Sequence, residues 1–171
     1  MAPKPGCSDT PSAVRAYVGL GGNLGDARAT VLAGLAAVEQ LAGSVLVACS
    51  SLYRSAPVEA GGPDFINAVA AIDTTLAPAA LLAALQAIEL QHGRQRPYRN
   101  APRTLDLDLL LHGQQVQADP VLTLPHPRLH QRAFVLHPLL ELAPSLVVPG
   151  LGRLSAHLAA TAHQRIERLP A

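Results

Sequence analysis

Arg103-Thr104-Leu105-Asp106-Leu107-Asp108-Leu109-Leu110-Leu111 closes the series of elements that decides the fold of this 171-residue chain. From Leu105 to Leu109, apolar and acidic residues alternate, which is the period of a strand with one buried face. Leu105, Leu107 and Leu109 share one side, and Asp106 and Asp108 the other. Working back from this strand, Leu81, Leu82, Leu85, Ile88 and Glu89 recur at helical spacing. Pro78 stands at the position of a first helical residue, and Gly93 ends the run. Phe65–Leu76 and Val45–Tyr53 have strand composition, and the Gly- and Pro-rich stretch Ser55–Asp64 between them reads as a loop. Earlier still, Val14–Leu20 is a short apolar strand ending in Gly21–Gly22. Ala27–Leu41 is a helix with Val31, Leu32, Leu35, Val38 and Leu41 on its apolar stripe, Asp26 as N-cap and Gly43 past its end. The order β-α-β-β-α-β predicts a single α+β domain of the ferredoxin-like plan: an antiparallel sheet with helices on one face. A short helix near Phe134–Glu141 and a C-terminal helix near Ser155–Leu169 are expected to complete it. Residues 1–13, with Pro3, Pro5, Gly6 and Pro11, read as a flexible tail, and 14–171 as the domain.

Composition narrows the function. Hydrophobic residues make up 49%, which excludes wholesale disorder. Only five residues are Phe or Tyr and none is Trp, so the core must be built from Leu, Val, Ile and Ala. The net charge of +1 gives no polyanion-binding field, so nucleic acid is not expected as a partner. No stretch has the run of about 18 apolar residues that a membrane span needs. The N-terminus lacks the apolar segment of a signal peptide. Cys7 and Cys49 are too few for a disulfide framework or a Cys-rich zinc site. A cytoplasmic setting is the expectation.

The charges are clustered. Residues 90–105 carry Arg94, Arg96, Arg99 and Arg103 and no acid. Such a patch on a near-neutral protein suits a small anion, and Arg grips phosphate oxygens bidentately. Immediately after it come Asp106 and Asp108, ~6.5 Å apart along a strand, a separation that can hold a pair of divalent ions ~4 Å apart. Oxygen-only ligation with substrate phosphates points to Mg²⁺. Taken alone, the acids could equally form the solvated face of an edge strand, and the arginines a solvated loop. Side by side, each supplies what the other lacks: a metal for the acids, a polyphosphate for the arginines.

Other motifs are weaker. Gly19-Leu20-Gly21-Gly22-Asn23-Leu24-Gly25-Asp26 follows a strand and opens a helix, but it breaks the G-x-G-x-x-G pattern, and the chain has no Walker sequence. It reads best as a tight turn requiring positive φ. His126 and His130 are four apart but lack a third ligand for zinc. Contact of His126 and Arg132 with phosphate or nucleotide is the better alternative. Phe65 and Phe134 are either core residues or rings that stack on a flat heterocycle, whose edge Asn67 could read. No Ser/His/Asp or Cys/His nucleophile pattern is present, so an enzyme here would act by positioning and charge neutralisation.

Several strings together resemble the 6-hydroxymethyl-7,8-dihydropterin pyrophosphokinase family of folate biosynthesis. They are Gly19–Asp26, Ser51-Leu52-Tyr53-Arg54-Ser55, Asp64-Phe65-Ile66-Asn67-Ala68, Ile88-Glu89-Leu90 through Arg94 and Arg96, Pro102-Arg103-Thr104-Leu105-Asp106-Leu107-Asp108, and Leu124-Pro125-His126. They occur in the family's order and span roughly residues 14–150. The resemblance implies transfer of the pyrophosphoryl group of ATP to the pterin's hydroxymethyl oxygen, leaving AMP. It implies that Asp106 and Asp108 bind two Mg²⁺, and that Arg94, Arg96 and Arg103 close over the phosphates, with Arg94 and Arg103 catalytic alongside the two acids. Gln86, Glu89, Arg94, Arg96, His126 and Arg132 would line the ATP site, with Leu109 offering backbone groups to adenine. Ser55, Val58 and Asn67 would meet the pterin edge, with Phe65 and Phe134 on its faces. It further implies a monomer. The chain departs from the family's common pattern in having Asn100 before Ala101-Pro102-Arg103 where Trp is usual, and Gly22, Phe65 and Pro127 where Ser, Tyr and Tyr are common. Two rivals remain on the same scaffold: a catalytically silent nucleotide-binding module, and an RNA-binding sheet.

Overall fold

The middle of Val14–Gly22 (β1) is apolar on both sides, and both sides are covered there. Ala16, Val18 and Leu20 pack under one pair of helices, and Tyr17 packs under a different helix on the opposite face. The protein, a computed structural model, is described over residues 11–57, 61–92 and 104–171. After β1 come helix α1 (Ala27–Glu39), strands β2 (Ser44–Cys49), β3 (Tyr53–Ser55) and β4 (Phe65–Thr74), helix α2 (Pro78–Gln91) and strand β5 (Asp106–His112). A small hairpin of β6 (Gln117–Ala118) and β7 (Thr123–Leu124), a 3₁₀ turn at Leu129–Gln131 and helix α3 (Ala133–Leu142) follow. Strands β8 (Val147–Val148), β9 (Gly152–Arg153) and β10 (Ile166–Arg168) end the chain.

The main sheet runs β10-β3-β4-β1-β5, with β2 also on β4, and every pairing is antiparallel. This is the expected split βαβ plan. The predicted strand Val45–Tyr53 is broken in two. Where the break falls, the Ser50 hydroxyl accepts from the Val69 N–H at 2.9 Å and the Ser50 N–H donates to the Val69 carbonyl at 2.9 Å, so the ladder is satisfied across the gap.

The helix ends follow local chemistry. Asp26 caps α1 by accepting from the Ala29 N–H at 3.0 Å, and Pro78 opens α2. Gly34 lets α1 sit close to the sheet: a Cβ there would lie 2.9 Å from Leu105.

Two expectations are corrected. Helices lie on both faces of the sheet: α1 and α2 on one, α3 on the other, where Val135, Leu136 and Leu139 pack on Val69, Ala71, Leu110 and Leu111. The C-terminal helix near Ser155–Leu169 is absent. Two 3₁₀ turns, Leu154–His157 and Ala159–Thr161, occupy its start, and β10 its end. Only Leu158, Ile166 and Leu169 are large and apolar in that stretch, too few for a helical stripe. The outer edge of β3 needs a partner, and Ile166–Arg168 supplies it.

Candidate active site

Registers across β4, β1 and β5 place Asn67 opposite Gly21, and Gly21 opposite Asp106. In the next row of the same face, Val69, Gly19 and Asp108 align. Strands stand ~4.8 Å apart, so Asn67 and the two carboxylates flank a gap two strands wide whose floor is glycine. A Cβ on Gly21 would come within 3.1 Å of Asn67 Oδ1. The tight turn expected from Gly19–Asp26 holds only at Gly25, with φ of 58°. Gly19, Gly21 and Gly22 are strand residues. Gly19 and Gly21 clear the sheet surface between Asn67 and the acids.

Asp106 and Asp108 are partly exposed, while Leu105, Leu107 and Leu109 between and beside them are sealed into the helix-covered core. At the other side of the gap, Asn67 Nδ2 donates to Ser55 Oγ at 2.8 Å. Both residues are buried. The bond fixes the amide and leaves its carbonyl oxygen beside Gly21. Phe65, two residues before Asn67, shares this face and is partly exposed.

His126 borders Asp106. Burial drives its pKa down to about 4; the charges of Arg132 and Arg128 push the same way, and Asp106 opposes them. The imidazole is therefore neutral near pH 7. Its Nδ1 accepts from the Arg128 N–H at 3.2 Å, so Nε2 carries the proton and is a donor. Arg132 lies at the start of α3 with its guanidinium 5.5 Å from the centre of the Phe134 ring, a cation–π contact.

Glu89, expected at the nucleotide site, is buried, and its Oε1 accepts from the Leu107 N–H at 2.8 Å. It thereby caps the free edge of β5, the strand that carries both acids. Gln86 is exposed one turn earlier on α2. The Leu109 side chain points into the core, so only its backbone is available at the edge. Val58, Arg94, Arg96 and Arg103 lie outside the described residues, as do residues 1–10 of the tail.

Asp106, Asp108, Asn67, Ser55 and Phe65 thus meet on one sheet face, with His126 and Arg132 at its border. Residues 17–144 match the model of the 7,8-dihydro-6-hydroxymethylpterin-pyrophosphokinase family. The chain belongs to this family. It is 52% identical over 157 residues to a 2-amino-4-hydroxy-6-hydroxymethyldihydropteridine pyrophosphokinase of Pseudomonas aeruginosa, covering 91% of this chain and 97% of the relative. A Haemophilus influenzae protein of the same name is 45% identical, over 80% of this chain and 86% of the relative. Among solved structures, wild-type Plasmodium falciparum HPPK-DHPS with pterin and p-hydroxybenzoate superposes with a TM-score of 0.67. That likeness is one of fold, at 15% identity, and covers 89% of this chain but only 42% of the Plasmodium one.

The pyrophosphokinase sequence pattern led to both acids and to Asn67. It did not assign a role to Gly19 and Gly21 as the bare floor, which only the strand register reveals. It also gave no role to Ser51, Tyr53 and Glu141. Both Ser51 and Tyr53 belong to the string Ser51-Leu52-Tyr53-Arg54-Ser55, and Tyr53 is one of only three Tyr in the chain.

Proposed function

We propose that Asp106 and Asp108 seat the metal-bound triphosphate of ATP, and that Asn67 and Ser55 hold the pterin across the glycine floor from them. The chain is an ATP-dependent pyrophosphokinase of folate biosynthesis. In its reaction the hydroxymethyl oxygen of the pterin bonds to the β-phosphorus of ATP. The bond from that phosphorus to the α–β bridging oxygen breaks, AMP departs, and the hydroxyl proton is released to solvent.

The donor set fits the proposed Mg²⁺. Two carboxylates project from one strand on one face, and the residues opposite them are glycines, which leave space for hydrated ions and phosphates. Two Mg²⁺ held by Asp106 and Asp108 would neutralise the phosphates and polarise the transferred group. The remaining work falls to side chains of this chain. Asn67, locked by Ser55, presents a carbonyl acceptor to a ring N–H or amino group. Phe65 and Phe134 supply flat apolar surface for the heterocycle. Neutral His126 donates from Nε2 to a phosphate or ribose oxygen, and Arg132 adds a fixed positive charge at the nucleotide end. Gln86 and Glu89 complete the nucleotide side with the backbone of Leu109. Arg94, Arg96 and Arg103 close over the phosphates, and Val58 borders the pterin. Such a site works by orientation and charge neutralisation.

The observation that carries this reading is the row Asn67–Gly21–Asp106: a fixed amide, a bare floor and a carboxylate in register. No described helix is long and apolar enough to cross a membrane. A cytoplasmic monomer with residues 14–171 as its catalytic unit, acting on ATP and pterin and on no nucleic acid, is part of the proposal. Chromatographic detection of AMP from ATP, with and without 6-hydroxymethyl-7,8-dihydropterin, tests it. Pterin-dependent AMP is expected. Nucleotide binding with no AMP would instead favour a silent module.

A further inference from the structure

Outside the cleft, the most heavily bonded carboxylate described is Glu141, in the last turn of α3. Its Oε1 accepts from the Ser51 N–H at 3.0 Å and from the Ser51 hydroxyl at 2.9 Å. Its Oε2 accepts from the Tyr53 hydroxyl at 2.6 Å. Arg168 of β10 approaches Oε1 at 3.4 Å and also donates to Ser51 Oγ at 2.9 Å. Burial works against the charge of Glu141, yet the bonds from Tyr53 and Ser51 and the Arg168 charge hold its carboxyl below the usual carboxylate range. The Tyr53 phenol is pushed up to about 12, by burial first and by this bond second. Nothing in the proposed reaction uses this cluster directly.

Its place in the fold is what makes it informative. Tyr53 pairs with Asn67 across β3 and β4, and Ser55, two residues along, orients the Asn67 amide. Ser51 and Tyr53 are therefore the anchor of the short strand on which Ser55 rides. On the other side of the contact, Glu141 lies seven residues after Phe134, two helical turns away and on the same side of α3. One carboxylate thus ties the helix bearing Phe134 to the strand bearing Ser55. His137, one turn before Glu141, lies beside the Tyr53 ring at 6.5 Å between centroids.

We infer that Glu141 is a positioning residue for the pterin half of the cleft, fixing the register of α3 on β3 and hence the placement of Phe134 relative to the Ser55–Asn67 pair. This rests on the reading of that half as the pterin site. A carboxylate suits the task better than an apolar contact because its two oxygens bond Tyr53, the first residue of β3, and Ser51 just before it at fixed lengths and directions.

The test is equilibrium binding of 6-hydroxymethyl-7,8-dihydropterin, in the presence of Mg²⁺ and a non-hydrolysable ATP analogue, to the wild type, Glu141→Ala, Glu141→Gln and Tyr53→Phe. Affinity for the nucleotide analogue and thermal melting are read alongside. Glu141→Ala is expected to weaken pterin binding by about 10- to 100-fold, the scale of misplacing a binding group by about 1 Å. Nucleotide affinity should fall several-fold less than pterin affinity, since the acids of β5 are untouched and only Arg132 of the nucleotide side sits at the start of α3. Glu141→Gln, which keeps an oxygen for Ser51, should recover most of the pterin affinity. Tyr53→Phe, which keeps both Ser51 bonds, should lose less than Glu141→Ala. If Glu141→Ala does not fold, the Gln and Phe variants decide by the same split between pterin and nucleotide. Unchanged pterin affinity despite a lower melting point, or pterin and nucleotide affinity falling in parallel, overturns the inference. A wild type that binds the nucleotide analogue but no pterin overturns the reading of the cleft itself.

Discussion

The face of the sheet that carries Asp106 and Asp108 has two ends, built from the same three strands and opposite in character. At one end, Val69, Ala71, Leu110 and Leu111 are roofed by Val135, Leu136 and Leu139 of α3. At the other, the same strands present Asn67, Gly21, Gly19, Asp106 and Asp108. The strands are shared, and apart from a shift in the β1–β5 register between Tyr17 and Val18 at the covered end, the difference lies in the side chains. Where large apolar residues stand, a helix packs and water is excluded. Where glycines stand between polar residues, nothing in the chain fills the space and a ligand can. The covered end pins the strands, and the bare end uses that rigidity to hold opposed polar groups in register.

Substitutions at the two ends should fail in different ways. The largest effect belongs to the bare end. Asp106→Ala and Asp108→Ala should each cut turnover by roughly 10³-fold or more, the scale of losing a charge-neutralising group in phosphoryl transfer. Melting should change little, because neither carboxylate packs in the core. Single-turnover kinetics at saturating Mg²⁺ read the first effect and calorimetric melting the second. At the covered end, Leu139→Ala should do the reverse. It removes a fully buried side chain at a cost of about 2–5 kcal/mol, read by denaturant unfolding. The rate per folded molecule should stay near that of the wild type. Turnover falling without loss of stability would show that the two ends are not separable.

Gly21→Ala sharpens the contrast within the bare end. The added methyl would sit 3.1 Å from Asn67 Oδ1, and Asn67 is held by Ser55. We expect pterin affinity to fall by about tenfold, roughly 1.4 kcal/mol, with ATP affinity nearly unchanged. Titration calorimetry of each ligand separates the two. The smallest effect concerns His126, at the border. Its pKa of about 4 in the folded state lies below the 6.5 of the unfolded chain. Its contribution to stability is therefore complete above pH 6.5 and is lost as pH falls toward 4, because the unfolded state takes up the proton first. His126→Gln should flatten that part of the stability profile in urea unfolding measured from pH 7 to pH 4.

Much of this is legible in the sequence. The alternation Leu105–Leu109 gave the strand, its inward leucines and its outward acids. Spacing gave α1 and α2, and Asp26 and Pro78 marked their starts. What stayed hidden was non-local. Whether Gly19 and Gly21 are a turn or a floor depends on which residues stand opposite them on the two neighbouring strands, and no local pattern encodes that register. The C-terminal stretch 155–169 has helical composition in isolation, but the unpaired edge of β3 claims its last residues. Glu141 reads as a surface residue of a short helix until Ser51 and Tyr53, some ninety positions earlier, are placed beside it. Glu89 stood in the family pattern as a nucleotide contact, yet its bond to the Leu107 N–H also makes it a clamp on the strand that carries the acids.

The central claim, that the acids hold metal over the glycine floor in front of Asn67, is tested most directly with a paramagnetic ion. Mn²⁺ in place of Mg²⁺, bound with a non-hydrolysable ATP analogue, should sit within about two strand spacings, roughly 10 Å, of the Gly21 amide and the Asn67 side-chain amide. Their NMR signals should broaden strongly in the wild type and recover when Asp106→Asn and Asp108→Asn are combined. Sharp Gly21 and Asn67 signals in the wild-type complex, with the broadening centred elsewhere on the protein, would contradict the account.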